Sequence, residues 1–213
     1  MDFLSEDIKD IRLALLEWFA LHGRHWIPWK LKANGSRPNS GEHLPVFGIW
    51  VAEVMLQQPQ IKVILPYCEK WMKTFPTLKE LTEASEQQVL ILWQGLGYYS
   101  RARNLKKTAK KILSNFNGNL PSTKDDLKSL PGIGEYTSSA IMAIAFNKPI
   151  IPLDGNVERV LKRVLYLKKK YEISKENLFK KKSFFGTSKR SSDYAQAIME
   201  IGALVCKPIS PVC

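Results

Sequence analysis

The chain has 213 residues, of which 45% are hydrophobic, and its 32 Lys and Arg residues against 20 Asp and Glu residues give a formal net charge of +12. This apolar fraction excludes a disordered or collagen-like chain and predicts a globular protein of one or two domains. No run approaches the roughly 18 apolar residues of a transmembrane helix, the acidic N-terminus is unlike a signal peptide, and three cysteines are too few for a disulfide framework. We therefore expect a cytoplasmic protein. Its charge favours a polyanionic partner, nucleic acid before a membrane surface, unless the basic residues serve only solubility.

The spacing of apolar residues is helical along most of the chain. Apolar residues recur every three or four positions over 8–19, 89–93 and 105–113, and no convincing alternation of polar and apolar residues is present. Turn residues separate these segments, and a polar loop is predicted over 31–45. We predict an all-α protein of about ten helices.

Glu53 lies in the middle of a predicted helix over 46–56 that is apolar on nearly every face. Helical spacing places Ile49 and Trp50 one turn before it and Leu56 one turn after it. Such surroundings would raise the pKa of the carboxyl, so that Glu53 could hold a proton near neutral pH and act as a general acid. The structural alternative is a buried Glu paired with an Arg or a backbone group.

Two glutamines, Gln57 and Gln58, follow this helix, and Pro59 ends it. Their amides could reach base edges or fill a gap in a duplex. As polar residues at a helix end they are also ordinary, so this signal is weak alone.

The segment Leu130-Pro131-Gly132-Ile133-Gly134 separates a helical stretch over 125–129 from an apolar helix over 138–146. Glycines in a tight turn let the backbone approach a ligand, and the amides that open the next helix attract anions. The pattern is typical of a helix-hairpin-helix motif that grips a DNA phosphate, with Gly132 and Gly134 as the contact residues. The alternative is a plain turn between helices.

Asp154 precedes a predicted helix that contains Arg159 and Arg163. It could be the N-cap of this helix or a catalytic carboxylate, and the two roles are compatible. A carboxylate held by helix-terminal amides stays ionised at neutral pH, which suits a group that faces a developing cation.

The most basic part of the chain is 161–190, which contains 11 Lys and Arg residues and only two acidic residues, Glu172 and Glu176. Two interpretations stay open for it, a solvated insertion and a DNA contact.

Taken together, five ordered motifs resemble the helix-hairpin-helix DNA glycosylases, and more narrowly the MutY-type adenine DNA glycosylases. The resemblance covers the chain from about residue 24 to its end. The motifs are Glu53-Val-Met-Leu-Gln-Gln, Gly95-Leu-Gly-Tyr-Tyr-Ser-Arg-Ala-Arg-Asn104, Leu130-Pro-Gly-Ile-Gly134, Leu153-Asp-Gly-Asn-Val157 and Cys206-x6-Cys213.

The resemblance implies a fold of two helical lobes that flank a DNA-binding cleft. One lobe is a six-helix barrel over 38–148, and the other combines 1–37 with 149–213 and carries a [4Fe-4S] cluster. It further implies a monomer, located with the nucleoid, that binds double-stranded DNA containing adenine mispaired with 8-oxoguanine or guanine.

The resemblance also implies roles for individual side chains. Glu53 matches the catalytic acid that protonates adenine, Asp154 the carboxylate that stabilises an oxocarbenium-like sugar, and Asn156 a side chain beside it. Because a stacked base cannot be reached, the adenine must be flipped out. Gln58 would then fill the vacated space.

The resemblance also implies a wedge within the motif that begins at Gly95 and ends at Asn104. Tyr98 with Leu96 would insert beside the lesion that opposes the adenine. For Tyr98 and Tyr99 the competing interpretation is core packing.

Position 136 separates neighbouring families. Enzymes that resemble endonuclease III carry Lys there as the Schiff-base nucleophile for strand cutting, whereas this chain has Tyr136. We therefore expect a monofunctional glycosylase, with Tyr136 lining the pocket or hydrogen-bonding the catalytic carboxylate.

The chain departs from the family pattern at its cysteines. The family ligates its cluster with Cys-x6-Cys-x2-Cys-x5-Cys, and Cys206 and Cys213 match only the first two ligands. Cys68 is expected to be an ordinary buried thiol. A C-terminal domain for 8-oxoguanine recognition is also missing, so we expect the chain to be a fragment, with an incomplete or absent cluster as the alternative. Pro59 stands where the family usually has Thr.

Two other functions stay open from the sequence alone. One is a glycosylase of another base specificity, such as a thymine-mismatch enzyme, because those enzymes can also carry Tyr at the position of Tyr136. The other is a non-catalytic DNA-binding module, although such a module has no reason to bury Glu53 or to place Asp154 against anionic DNA.

Overall fold

The computed structural model describes residues 5–32, 34–38, 44–57, 60–165 and 175–212. Every regular element in these ranges is helical, as predicted. The helices are α1 (Ser5–His22), α2 (Val46–Met55), α3 (Ile61–Thr74), α4 (Leu78–Glu83), α5 (Glu86–Trp93), α6 (Ser100–Asn115), α7 (Lys124–Lys128), α8 (Glu135–Ile144), α9 (Gly155–Val164), α10 (Lys175–Lys181) and α11 (Ser191–Leu204), with 3-10 turns at Pro28–Lys30 and Lys182–Phe185. Within the described part of the chain, none of these helices combines the length and apolar character needed to cross a bilayer.

The helix ends follow local sequence signals. Thr77 and Ser85 each begin a helix with a capping box, in which the hydroxyl accepts from a backbone amide of the first turn and a Glu or Gln side chain returns to the cap. The Thr123 side chain caps α7, and the Asp154 side chain caps α9, which confirms the N-cap predicted for Asp154.

The chain divides into two compact units, one formed by Met1–Arg24 with Asn147–Cys213 and the other by His25–Phe146. Residues 25–37, which we expected in the terminal lobe, belong to the second unit because Trp29 packs against α2. The Cβ of Trp29 lies 3.6 Å from the place where a Cβ on Gly48 would stand.

The unit of 25–146 has an aromatic core beneath α2. Trp71 and Trp93 are fully buried and meet edge to face, with ring centroids 5.8 Å apart. α2 packs on α3 and α8, and its residues from Gly48 to Met55 are all buried. The buried helix predicted around Glu53 is confirmed.

One residue of the predicted apolar pattern lies outside this core. Leu113 was expected on the buried face of α6, but 49% of it is exposed. The buried stripe of α6 runs through Leu105, Ala109 and Ile112 with the spacing of successive turns, and Leu113 lies one position beyond it.

The other unit is built from α1, α9 and α11, with α11 in contact with both partners. α9 and α11 approach closely at Gly202, where an added Cβ would stand 2.6 Å from the Cβ of Asn156. Glycine is therefore required at this crossing because a side chain would separate the two helices.

The turn between α7 and α8 is held by α6. The Thr108 hydroxyl donates to the carbonyl of Pro131 at 2.7 Å, and Gly132 has a φ of 80°. A Cβ on Gly132 would lie 2.9 Å from the Cβ of Asn104, whereas a Cβ on Gly134 would meet nothing within 4 Å. The two glycines of the hairpin are therefore present for different reasons.

We predict that Gly132→Ala lowers the free energy of unfolding by about 1–3 kcal/mol. The new Cβ would clash with the Cβ of Asn104, which cannot move without its backbone, and alanine disfavours the left-handed backbone conformation of this position. Gly134→Ala, the matched control, should cost less than about 1 kcal/mol, the usual difference at an N-cap. Urea unfolding of both variants measures these losses. Equal destabilisation by the two substitutions would contradict this assignment.

Candidate active site

Glu53 is buried in the middle of α2, where only 4% of it is exposed. The phenol of Tyr136 donates a hydrogen bond to its Oε2 over 2.8 Å. Tyr136 lies in the first turn of α8, so the α2–α8 contact brings together two residues that are 83 positions apart. Of the two roles expected for Tyr136, the structure has the hydrogen bond to a carboxyl. The arrangement holds a carboxyl group in apolar surroundings with a phenol that donates to one of its oxygens.

A second side-chain bond joins the end of α2 to the same turn of α8. Gln57 Nε2 donates to the Thr137 hydroxyl over 3.2 Å. Gln57 is exposed, so it stands beside the Glu53–Tyr136 pair and faces solvent. Gln58 and Pro59 lie outside the described residues.

An open groove of about 630 Å³ runs along the hairpin. Its lining includes Gln57, Lys128, Gly132, Gly134 and Tyr136. The amides at the start of α8 are the positive end of its dipole, and the space beside Gly134 is open. The hairpin geometry therefore suits a bound anion, and the phosphate contact of Gly132 and Gly134 stays a prediction.

Charged side chains flank this groove. Glu135 forms salt bridges with Lys124 and with Lys128, the latter at 3.2 Å. The hydrogen bond from Lys124, aided by Lys128, lowers the pKa of the Glu135 carboxyl. The hairpin thus carries a carboxylate and two cations beside the first turn of α8.

The segment before α6 presents two aromatic side chains to solvent. Tyr98 is 64% exposed and has a φ of 46°, a strained value for a residue with a side chain. Tyr99 is also exposed, so the core-packing alternative for these two tyrosines is wrong. Leu96, in contrast, is buried, since its side chain packs into the unit of 25–146. Of the expected wedge pair, only Tyr98 is free to meet a partner.

Asp154 and Asn156 form a second polar cluster, in the unit that contains both termini. Asp154 Oδ1 accepts from the Val157 amide at 2.7 Å, and its Oδ2 accepts from Asn156 Nδ2 at 3.0 Å. Burial raises the pKa of the Asp154 carboxyl, while these two hydrogen bonds act in the opposite direction. The amides predicted to hold Asp154 are present, and its surroundings are less polar than the sequence indicates.

Arg159, which has no role predicted from the sequence, connects this cluster to the segment after α11. Its Nη2 donates to Asn156 Oδ1 at 2.7 Å, and its Nε donates to the carbonyl of Cys206 at 2.7 Å. Its position three residues after Asn156 on a helix was the available signal, because residues at that spacing share a face. The reach to Cys206 depends on the packing of α11 against α9.

Two cysteines of this chain, Cys206 and Cys213, match the cluster motif of the family. Cluster ligation takes four thiolates, and the chain has three cysteines. Cys206 is buried and its Sγ accepts a hydrogen bond from Arg163 Nη1 at 3.2 Å, whereas Cys213 lies outside the described residues. No group of three or more metal-ligating side chains occurs among the residues that the structure describes.

Cys68 is a buried thiol, as predicted. It lies in α3 with its Sγ 3.6 Å from the sulfur of Met55. Burial, with smaller contributions from Glu69 and Glu53, raises the pKa of Cys68 to about 12. Because a cluster ligand is a thiolate, these surroundings disfavour ligation by Cys68.

Comparison with known proteins gives a family and named relatives. A family model described as the HhH-GPD superfamily base excision DNA repair protein matches residues 51–183. The adenine DNA glycosylase of Buchnera aphidicola subsp. Baizongia pistaciae is 36% identical over 206 residues, which cover 94% of this chain and 54% of that protein. The adenine DNA glycosylase of Mus musculus is 37% identical over 216 residues, which cover 99% of this chain and 41% of that protein. The chain therefore spans about half the length of these relatives or less.

A solved structure supports the fold. The structure of a thermostable thymine-DNA glycosylase superposes with a TM-score of 0.78, at 19% identity, over 98% of this chain and 91% of that one. The predicted helix-hairpin-helix glycosylase fold is confirmed. At this identity the likeness is one of fold alone.

We predict that Cys68 resists alkylation in the folded protein, because a thiol with a pKa of about 12 is almost wholly protonated at pH 8 and is also buried. Iodoacetamide treatment with and without urea, followed by peptide mass spectrometry, measures the modification. Labelling of Cys68 should appear only in urea. Rapid labelling of Cys68 in the native protein would show that its surroundings are not those described.

Proposed function

Because this chain belongs to the HhH-GPD superfamily of base excision DNA repair proteins, we propose that it is a monofunctional DNA glycosylase that hydrolyses the N-glycosidic bond of adenine mispaired with 8-oxoguanine or guanine. The observation that carries the proposal is the buried Glu53 carboxyl with the Tyr136 phenol bonded to it. The names of relatives at 36% and 37% identity support adenine as the released base.

Glu53 is assigned the role of general acid. Cleavage of the bond between adenine and deoxyribose leaves electrons on the base, and a proton delivered to a ring nitrogen turns adenine into a neutral leaving group. The hydrogen bond from Tyr136 Oη to Glu53 Oε2 restricts the orientation of this buried carboxyl, which favours a defined direction of proton transfer. After departure of the base, the same group can accept a proton from the attacking water.

Asp154 is assigned the stabilisation of the cationic sugar. Loss of the base leaves an oxocarbenium-like deoxyribose, and an ionised carboxylate stabilises its positive charge. The Val157 amide and Asn156 hold both oxygens of Asp154 in place, so the carboxylate needs no reorganisation as charge develops. Asn156 is therefore a positioning residue for Asp154.

The absence of strand cutting follows from the group at position 136. A lyase forms a Schiff base between an amine and the sugar aldehyde, and the phenol of Tyr136 has no amine to supply. The reaction then ends when water replaces adenine on the sugar, and the product is an abasic site. Borohydride should trap no covalent complex with this chain.

DNA binding is assigned to the hairpin and the exposed loop before α6. The start of α8 is the positive end of its helix dipole and suits a phosphate, and Lys128 adds a cation beside the groove. The adenine must leave the stack to reach a buried carboxyl. The space that it vacates is assigned to Gln58, and the wedge beside the opposing lesion is assigned to the exposed Tyr98. No step of this mechanism passes through an iron–sulfur cluster.

We predict that Glu53→Gln lowers single-turnover release of adenine by at least about 100-fold, because an amide cannot deliver the proton. The assay uses duplexes that contain A opposite 8-oxoguanine, A opposite G and T opposite G, followed by alkali to cut abasic sites. The matched control is Glu86→Gln, which removes an exposed carboxylate of the same unit and should leave the rate within about twofold.

Other outcomes of this assay would reject the proposal. Release of thymine from T opposite G, with adenine untouched, would indicate another base specificity. Salt-sensitive binding to every duplex without release of any base would indicate a DNA-binding module. Full activity of Glu53→Gln would remove Glu53 from the chemistry.

We predict that Asn156→Ala moves the acid limb of the pH–rate profile to higher pH by about 0.5–1 unit, the equivalent of one hydrogen bond. The sign follows from the role of Asp154: its ionised form is active, the bond from Asn156 lowers its pKa, and loss of the bond raises it. Single-turnover rates between pH 4.5 and 8 measure the limb. Asn119→Ala, a change of an exposed amide, is the control, and an unshifted limb in Asn156→Ala would contradict the assignment.

A further inference from the structure

Arg101 joins the helix that carries Glu53 to the loop that carries Tyr98. Its Nη1 donates to the carbonyls of Val54 and Met55, at 3.2 and 3.4 Å, and its Nη2 donates to the carbonyl of Leu96 at 3.3 Å. The first two carbonyls belong to the last turn of α2. One guanidinium therefore bonds to the residue directly after Glu53 and to the loop before α6.

The position of this arginine is unfavourable for its own helix. Arg101 lies in the first turn of α6, where the helix dipole disfavours a cation. Its guanidinium instead faces the carboxyl end of α2, where a cation is favoured and the final carbonyls lack partners within the helix. The side chain thus serves α2 and the loop.

Two aromatic rings complete the contact. The guanidinium carbon lies 5.4 Å from the ring centre of Trp93 and 5.5 Å from that of Tyr98. Trp93 is fully buried, and its indole N–H donates to the carbonyl of Gly97 at 2.9 Å. Trp93 and Arg101 therefore each bond to a carbonyl of the loop, at Gly97 and Leu96.

The loop needs such support because its backbone is strained. Gly95 and Gly97 have φ values of 99° and 68°, and Tyr98 between them and α6 has a φ of 46°. A non-glycine residue in this region persists only where the surroundings enforce it. The exposed ring of Tyr98 stacks against the guanidinium, whose planar face and several donors a lysine lacks.

We propose that Arg101 is a positioning residue that fixes the Tyr98 ring relative to the carboxyl end of the Glu53 helix, so that insertion of Tyr98 into DNA and presentation of the base to Glu53 occur as one event. This proposal rests on the function proposed above. It assigns to Arg101 no contact with the reacting atoms.

The first test uses the protein without DNA, so it is independent of the proposed function. Chymotrypsin cleaves after tyrosine, and cleavage after Tyr98 or Tyr99 reports opening of the loop. Arg101→Ala and Arg101→Lys should be cut there at least about tenfold faster than wild type. In wild type the loop must break the guanidinium contacts to open, whereas the variants lack these contacts and their loops open more often. Arg103→Ala, which removes an exposed arginine of the same helix, should be cut at the wild-type rate. Circular dichroism establishes that each variant is folded at the assay temperature, and Arg101→Lys carries the test if Arg101→Ala does not fold.

The second test is a double-mutant cycle with Tyr98→Ala on adenine release. If Arg101 acts through Tyr98, each single variant lowers the single-turnover rate by about tenfold or more and the double variant falls little further. The dissociation constant for an undamaged duplex should change in Arg101→Ala no more than in Arg103→Ala, which loses the same charge.

Two results would overturn the proposal. One is cleavage of both Arg101 variants at the rate of Arg103→Ala. The other is single-variant losses that multiply in the double variant, since that would make the two residues independent. An inactive wild-type protein would reject the proposed function, while the proteolysis arm would still decide whether Arg101 holds the loop.

Discussion

The central constraint in this structure is a carboxyl group buried in an apolar helix. Placing Glu53 among the buried residues of α2 removes it from water, and such burial is unfavourable unless the group is neutral or has polar partners. The Tyr136 phenol supplies one partner, which requires α8 to pack on α2. The first turn of α8 must therefore stand where it does for the carboxyl to be accommodated, and the hairpin that begins α8 is fixed by the same packing.

The hairpin and the carboxyl consequently share one structural element. Gly134 caps α8, Tyr136 bonds to Glu53 and Thr137 bonds to Gln57, all within one turn of helix. A phosphate bound at the amides of this turn would lie within two residues of Tyr136, which donates to Glu53. In the proposed function, this one turn serves both the contact with a DNA phosphate and the acid that assists release of the base. In the other unit, the first turn of a helix likewise holds a polar side chain, since the Val157 amide of α9 donates to the Asp154 carboxylate.

The parts predicted from the sequence are those in which local pattern determines structure. The apolar run around Glu53 required a buried helix, and Asp154 before a helical segment required an N-cap, because both follow from residues within one or two turns. The roles of Arg101 and Arg159 could not be predicted in this way, because each donates to backbone carbonyls of a segment whose location depends on tertiary packing. The resemblance placed Leu96 in a wedge with Tyr98, whereas Leu96 is buried, and periodicity does not reveal this because Leu96 lies in a loop without a helical face. The motif around Tyr98 contains two arginines that look equivalent in sequence. Only the fold shows that Arg101 makes part-buried contacts with backbone carbonyls, whereas Arg103 is exposed.

The central claim is that the Glu53–Tyr136 pair faces the base that leaves. The most direct measurement is a crystal structure of this chain with a duplex in which the adenosine opposite 8-oxoguanine carries a 2′-fluorine, which resists cleavage. We predict that the adenine lies outside the stack with a ring nitrogen within about 3 Å of a Glu53 carboxyl oxygen, the distance of a hydrogen bond. An extruded adenine that has no polar contact with Glu53, or an adenine that stays stacked while the duplex is bound at the hairpin, would contradict this claim.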